Sequence, residues 1–75
     1  MSEAELLELA GLYKSATVIT DTTARVGLKA LSDLRAQGVD LDLIAAALDA
    51  HLSAYRAALE AEAKALEAVR KARTA

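Results

Sequence analysis

Few side chains in this sequence of 75 residues could take part in chemistry, and they are scattered. His51 is the only histidine and cysteine is absent, which excludes disulfides and thiolate metal sites. Metal sites in helical bundles use Glu-x-x-His pairs, but the residue three before His51 is Leu48. No nucleophile has an adjacent general base, and the three glycines are isolated rather than gathered in a phosphate-binding loop. We therefore expect no enzyme activity, no metal and no cofactor.

Polar side chains inside the apolar pattern are candidates for specificity rather than catalysis. Glu62 is the one acid within the apolar stripe of the second half, where it either reaches water or fixes the register or oligomeric state. His51 lies at the edge of that stripe, as a boundary or interface histidine would. Thr20, Thr23 and Tyr55 are predicted to meet and to hydrogen-bond in a packed layer. Thr23, His51 and Glu62 are thus the predicted polar specificity residues.

A basic cluster near the end of the sequence offers a contact for phosphates. It consists of Arg70, Lys71 and Arg73. Bases in a last helical turn are also what the helix dipole favours without any ligand. The whole chain carries 11 acids against 9 bases, a net charge of −2, and lacks the basic field that nucleic-acid binding usually needs. A small regulator that binds nucleic acid, or an enzyme acting on it, is therefore the alternative function only.

The composition indicates that helices must position all of these groups. Ala occurs 19 times, Leu 13 times and Pro never, so strong helix formers dominate. Ser2 and Glu5 have the spacing of a capping box, and Gly38 and Asp40 have the types of a helix C-cap and a new N-cap. Helices are expected at about 3–37 and 41–73. Because the connection between them is short, the prediction is an all-α antiparallel hairpin that forms a single domain over residues 1–75.

The weak point of this prediction is the segment 15–23, where β-branched side chains crowd together. A three-helix arrangement with a break near 17–21 is the alternative. Apolar or small residues nevertheless keep alternating steps of three and four through the segment, which favours one continuous helix. The stripe consists of Leu9, Leu12, Ala16, Ile19, Thr23, Val26 and Ala30.

A second stripe runs along the other helix. It consists of Leu41, Ile44, Leu48, Leu52, Tyr55, Leu59, Leu66 and Val69. Folding the hairpin about Val39 places opposite each other the residues whose numbers add up to about 78. The predicted hairpin contacts are then Val26 with Leu52, Ile19 with Leu59, Leu12 with Leu66, Glu8 with Arg70 and Glu5 with Arg73. The predicted packing residues are Leu9, Leu12, Ile19, Val26, Leu31, Leu48, Leu52, Tyr55, Leu59 and Leu66.

Both helices carry more apolar surface than one partner helix covers. The first helix has Leu6, Tyr13, Leu28, Leu31 and Leu34 outside its stripe, and the second has a row of alanines on another side. We therefore expect a homo-oligomer that forms a four-helix or larger bundle, or a hairpin docked on helices of a partner protein. The predicted function is a structural or protein–protein interaction module, such as a virion, secretion or scaffold component.

Targeting signals are not evident in the sequence. The first residues are acidic, whereas a secretory signal would begin with basic ones. No apolar run approaches the roughly 18 residues needed to cross a membrane. The expected location is the cytoplasm, without a membrane partner.

Overall fold

The computed structural model describes residues 2–74 as two long helices. Helix α1 is Glu3–Ala36 and helix α2 is Leu41–Thr74, and they pack against each other as an antiparallel hairpin. The Cα trace is 55 Å long and 14 by 10 Å across. The predicted bounds of both helices are confirmed to within one residue.

Each helix begins at a side-chain cap. The hydroxyl oxygen of Ser2 accepts a hydrogen bond from the backbone N–H of Glu5 at 3.2 Å. At the start of α2, a carboxylate oxygen of Asp40 accepts from the backbone N–H of Asp42 at 2.9 Å. These bonds satisfy donors that have no partner within the helix, so the two starts follow from local chemistry alone.

The turn between the helices is built on Gly38, which has a φ of 70°. The N–H of Gly38 donates to the carbonyl of Arg35 at 3.1 Å, and that of Val39 donates to the carbonyl of Leu34 at 3.2 Å. This pair of bonds is the Schellman motif, which requires a left-handed residue at the position of Gly38. The predicted C-cap is confirmed.

Helix α1 continues through its Thr-rich segment without a break. The hydroxyl of Thr17 donates to the carbonyl of Lys14, and that of Thr23 donates to the carbonyl of Ile19, both at 2.7 Å. Because these hydroxyls bond back to the preceding turn, they do not compete for the bonds that hold the helix. The three-helix alternative does not form.

The contact line between the helices, called the seam below, is made mostly of small and polar residues. Its members are partly or fully buried and recur in steps of three and four, apart from one gap in α2 where Leu48 is 41% exposed. They are Leu6, Leu9, Tyr13, Ala16, Thr20, Thr23, Gly27, Ala30 and Leu34 of α1, with Ile44, His51, Tyr55, Ala58, Glu62, Ala65, Val69 and Ala72 of α2. Among residues 2–74, only Thr20, Gly27 and Ala72 are buried. The hairpin alone therefore has almost no apolar core.

The predicted contacts of Leu12, Ile19 and Val26 across the hairpin are wrong. These three side chains are 58%, 60% and 58% exposed, because each lies one residue before a seam position and so points about 100° away from α2. Leu52 and Leu59, their predicted partners, are each one residue after a seam position and also remain more than 40% exposed. The helices meet along small residues, and the large side chains lie on either flank.

Candidate association surfaces

The seam divides the hairpin into two apolar sides. In this antiparallel pair, residues that follow a seam residue by one position lie on the same side in both helices. One side carries four such residues that line a single groove, namely Ala24, Leu28 and Leu31 of α1 and Leu52 of α2. We call this side the Leu52 face, and it continues through Leu59, one heptad further along α2. Residues that precede a seam residue lie on the opposite side.

The Leu52 face contains an open apolar groove of about 260 Å³. Its lining is Ala24, Gly27, Leu28, Leu31, Leu48, His51, Leu52 and Tyr55. A second groove, of about 360 Å³, continues toward the turn and includes Arg35, Leu41 and Ile44. Leu28 is 69% exposed at the rim, although it is one of the largest apolar side chains of α1. This face is concave and apolar, as a surface for another helix would be.

The opposite side, called the Ile19 face, sets a row of large side chains beside a row of small ones. The large row is Leu12, Ile19 and Val26 of α1, and the small row is Ala47, Ala54, Ala61 and Ala68 of α2. Both rows repeat every seven residues, and both precede seam positions. These four alanines, which are part of the predicted alanine row, therefore lie on the same side as the exposed leucine, isoleucine and valine. Ala65 and Ala72 of the predicted row lie in the seam instead.

His51 lies in the seam against Gly27. A Cβ atom added to Gly27 would be 3.1 Å from Nδ1 of His51 and 3.2 Å from its Cγ. The ring therefore occupies the space that a side chain at residue 27 would need. This contact confirms the predicted register, since the two numbers add up to 78. His51 belongs to the contact between the helices rather than to its edge.

Glu62 also lies in the seam and makes the one side-chain hydrogen bond that joins the helices within residues 2–74. Its Oε2 is 3.0 Å from the hydroxyl of Thr20, which is only 6% exposed. The same hydroxyl is 3.1 Å from the carbonyl of Ala16. A hydroxyl has one hydrogen, so Thr20 donates to one of these two oxygens at a time. Glu62 thus has a built partner, in keeping with a register role.

The predicted layer of hydrogen bonds among Thr20, Thr23 and Tyr55 is wrong. Thr23 donates to the carbonyl of Ile19, and within the described chain no hydrogen bond joins it to Tyr55. Thr20 instead reaches Glu62 on the facing helix. Thr20 was missing from the predicted specificity residues, although a buried Thr near the only acid of the stripe is a pattern that could have identified it.

The remaining packing residues divide between the seam and its flanks. Leu9 and Tyr55 are in the seam, Leu31 and Leu66 are half-buried beside it, and Leu48 is 41% exposed along the groove. None of the ten predicted packing residues is buried. Their role in contacts beyond the hairpin stays a prediction.

The basic cluster is exposed at the end of α2. Arg70 and Arg73 line a shallow depression of about 300 Å³ with Thr74. Lys71 is exposed beside them. The predicted ion pairs of these arginines with Glu8 and Glu5 are wrong. In the described part of the chain, the single ion pair is Lys29 with Asp33, at 3.3 Å, because long exposed side chains gain little by leaving water for each other.

Other kinds of site find no support in residues 2–74. No three acidic or histidine side chains converge as metal ligands would. Neither helix has an apolar stretch that would cross a lipid bilayer. Comparison of the chain with protein-family models, curated protein sequences and solved structures finds no match.

Proposed function

We propose that this chain is a non-enzymatic assembly module that associates with further copies of itself through its two apolar faces. The observation that carries the proposal is the distribution of its large side chains. Eleven leucine, isoleucine or valine side chains are at least 41% exposed, and none is fully buried. A monomeric hairpin gains little of the apolar burial that stabilises folded domains.

The shape of the hairpin supports the same proposal. Its accessible surface is 5746 Å², whereas a compact monomer of its mass would expose about 4,400 Å². Its radius of gyration is 17.0 Å, against about 11 Å for a compact domain of this length. The excess surface of roughly 1,300 Å² is on the scale of a specific protein–protein interface.

The free energy that burial of these side chains would contribute is comparable to the free energy of unfolding of a small domain. Full burial of one leucine or isoleucine side chain contributes about 1.5–3 kcal/mol. Burial of the exposed halves of six such side chains would contribute on the order of 5 kcal/mol or more, and small domains are stable by about 5–15 kcal/mol. Association into a four-helix or larger bundle is the simplest way for the chain to gain this burial.

The proposal is tested by light scattering behind a sizing column over a range of protein concentrations. We expect a highly helical dimer or larger species. Leu59→Asp places a charge on the Leu52 face and should shift the assembly toward monomer. Val18→Asp is the matched control, because Val18 is also an exposed aliphatic residue, at 55% against 42% for Leu59, but lies on neither face. A helical monomer at all concentrations would overturn the proposal.

The nucleic-acid alternative rests on Arg70, Lys71 and Arg73, which are exposed but lie on a chain of net charge −2. Binding of RNA that falls steeply with added salt would support it. The cytoplasm is the location that we propose for the assembly.

A further inference from the structure

We infer that a second copy of this chain docks on the Leu52 face, with the two hairpins related by a twofold axis parallel to their helices. The inference rests on the proposed function, since it assumes self-association, and it specifies the face, the partner and the orientation. It is carried by two separate observations. One is the order of large and small side chains on this face, and the other is the order of charges along its edges.

The first observation is that, at four levels of the face, one helix carries a large side chain and the other a small one. We call two residues of the hairpin level when they lie at the same height along the helix axes. The contact of Gly27 with His51 sets these heights, because it pairs residues whose numbers add up to about 78. The four levels, each with numbers that add up to 76, are Ala10 with Leu66, Thr17 with Leu59, Ala24 with Leu52, and Leu31 with Ala45. Leu28 and Leu48, which also line the groove, do not follow this order.

A twofold axis parallel to the helices lays α1 of one copy on α2 of the other without shifting the levels. At these four levels each large side chain then meets a small one across the interface, which limits both clashes and voids. At the last level the order reverses, because Leu31 is large and Ala45 is small. The rule of one large and one small residue therefore holds even where the helix that supplies the large residue changes.

The second observation concerns the charged residues at the outer edges of the face. Asp21 and Arg35 are each one heptad from Leu28, at the rim on α1, and Arg35 itself lines the groove near the turn. Asp42 and Arg56 occupy the corresponding rim on α2, one position after seam levels. Within residues 2–74, none of these four side chains takes part in an ion pair.

The two rims lie on opposite edges of one hairpin, so their charges are complementary only between copies. Asp21 is level with residue 57, next to Arg56, and Arg35 is level with residue 43, next to Asp42. With the parallel axis, Asp21 of one copy lies beside Arg56 of the second, and Arg35 lies beside Asp42. The symmetry repeats both pairs, which gives four opposite-charge contacts and no like-charge contact among these residues.

An axis perpendicular to the helices fits the same charges less well. It would lay α1 of one copy antiparallel on α1 of the second copy. Asp21 would then meet Arg35 of the second copy only if the axis crossed α1 near Leu28. About half of each helix would then have no partner, and Asp49 would face Asp49 of the second copy. With the parallel axis, Asp49, which shares the rim with Asp42 and Arg56, lies beside Leu28 of the second copy instead. The parallel axis overlaps the whole length instead. A face of 55 by 14 Å gives a footprint of about 800 Å² per copy, the usual size of a stable interface.

The test is a charge exchange measured by analytical ultracentrifugation at low ionic strength. Asp21→Arg and Arg56→Asp each replace two attractive contacts per dimer with two repulsive ones, so each should raise the dimer dissociation constant about tenfold. The double variant restores opposite charges and should return the constant to within about threefold of the original. Arg25→Asp, on the outer surface of α1, controls for the change in net charge and should have less than a threefold effect. Circular dichroism on each sample checks that the helices remain intact.

Each outcome has a definite meaning. Rescue of Asp21→Arg by Arg56→Asp supports the parallel axis. Rescue by Arg35→Asp instead would establish the perpendicular axis and overturn the inference. If the original chain associates but none of the charge variants changes the constant, the inference fails while the proposed function stands. If the original chain is a monomer at every concentration, the proposed function fails and the inference fails with it.

Discussion

Replacement of Gly27 by alanine tests the contact on which the register of the hairpin depends. In an open helical position, Gly→Ala stabilises by about 1 kcal/mol because it removes backbone freedom from the unfolded chain. Gly11 provides that reference, since nothing lies within 4 Å of a Cβ atom added there. At Gly27 the added Cβ would be 3.1 Å from Nδ1 of His51, below the usual separation of about 3.5–4.0 Å.

The ring of His51 must therefore move by a few tenths of an ångström to admit the added methyl group. Overpacking of this kind costs about 1–3 kcal/mol, which cancels or exceeds the gain in helix propensity. We expect the free energy of unfolding of Gly27→Ala to lie at least about 1 kcal/mol below that of Gly11→Ala. His51→Ala removes Nδ1 and Cγ and leaves only the Cβ atom of residue 51, at 3.4 Å, so Gly27→Ala should recover most of the gain in that background.

The assay is urea unfolding followed by circular dichroism, with all variants at one protein concentration because association couples stability to concentration. Gly27 and His51 also line the groove of the Leu52 face, so light scattering on each variant checks that its association is unchanged. If Gly27→Ala and Gly11→Ala stabilised the protein equally, and His51→Ala left that result unchanged, His51 would not contact Gly27. The register would then be wrong, and with it the levels used to place the second copy.

Three further predictions concern the turn, the seam and the Ile19 face. Gly38→Ala should lower the free energy of unfolding by about 1–2 kcal/mol in the same assay, because a φ of 70° strains a residue with a Cβ atom. Thr20→Val should lower it by about 1 kcal/mol by removing the partner of Glu62, and this loss should vanish in a Glu62→Ala background. Ile19→Asp should limit assemblies to dimers in light scattering, because it blocks the Ile19 face and leaves the Leu52 face intact; larger species would contradict it.

The ends of the helices could be predicted because the residues that determine them are local. Ser2, Gly38 and Asp40 act on backbone groups only a few residues away, and their types are characteristic of caps. The continuity of α1 was also predictable, since a Thr hydroxyl can bond back to its own helix. The short turn then makes the antiparallel hairpin the only compact arrangement of two helices of equal length.

The face of each helix that forms the seam could not be predicted in the same way. The predicted stripe and the observed seam of α1 share Leu9, Ala16, Thr23 and Ala30, and both proceed in steps of three and four. They differ at the positions between these shared residues. The predicted stripe continues through Ile19, whereas the observed seam continues through Thr20. Hydrophobicity favours Ile19, but the hairpin uses Thr20 and Gly27, because small side chains let the helices approach closely. That choice depends on the facing helix, which a reading of one helix alone does not include.

This choice of seam has a consequence for assembly. The large side chains removed from the seam lie on both flanks, so one further copy on the Leu52 face leaves the Ile19 face of each hairpin uncovered. That face also sets a large row beside a small row at a spacing of seven residues, so it has the same kind of self-complementarity. Two such faces on opposite sides of a hairpin, each used about an axis parallel to the helices, combine into a translation rather than a closed ring. If both faces associate as proposed, we expect the hairpins to extend an assembly in one direction until another chain covers the Ile19 face.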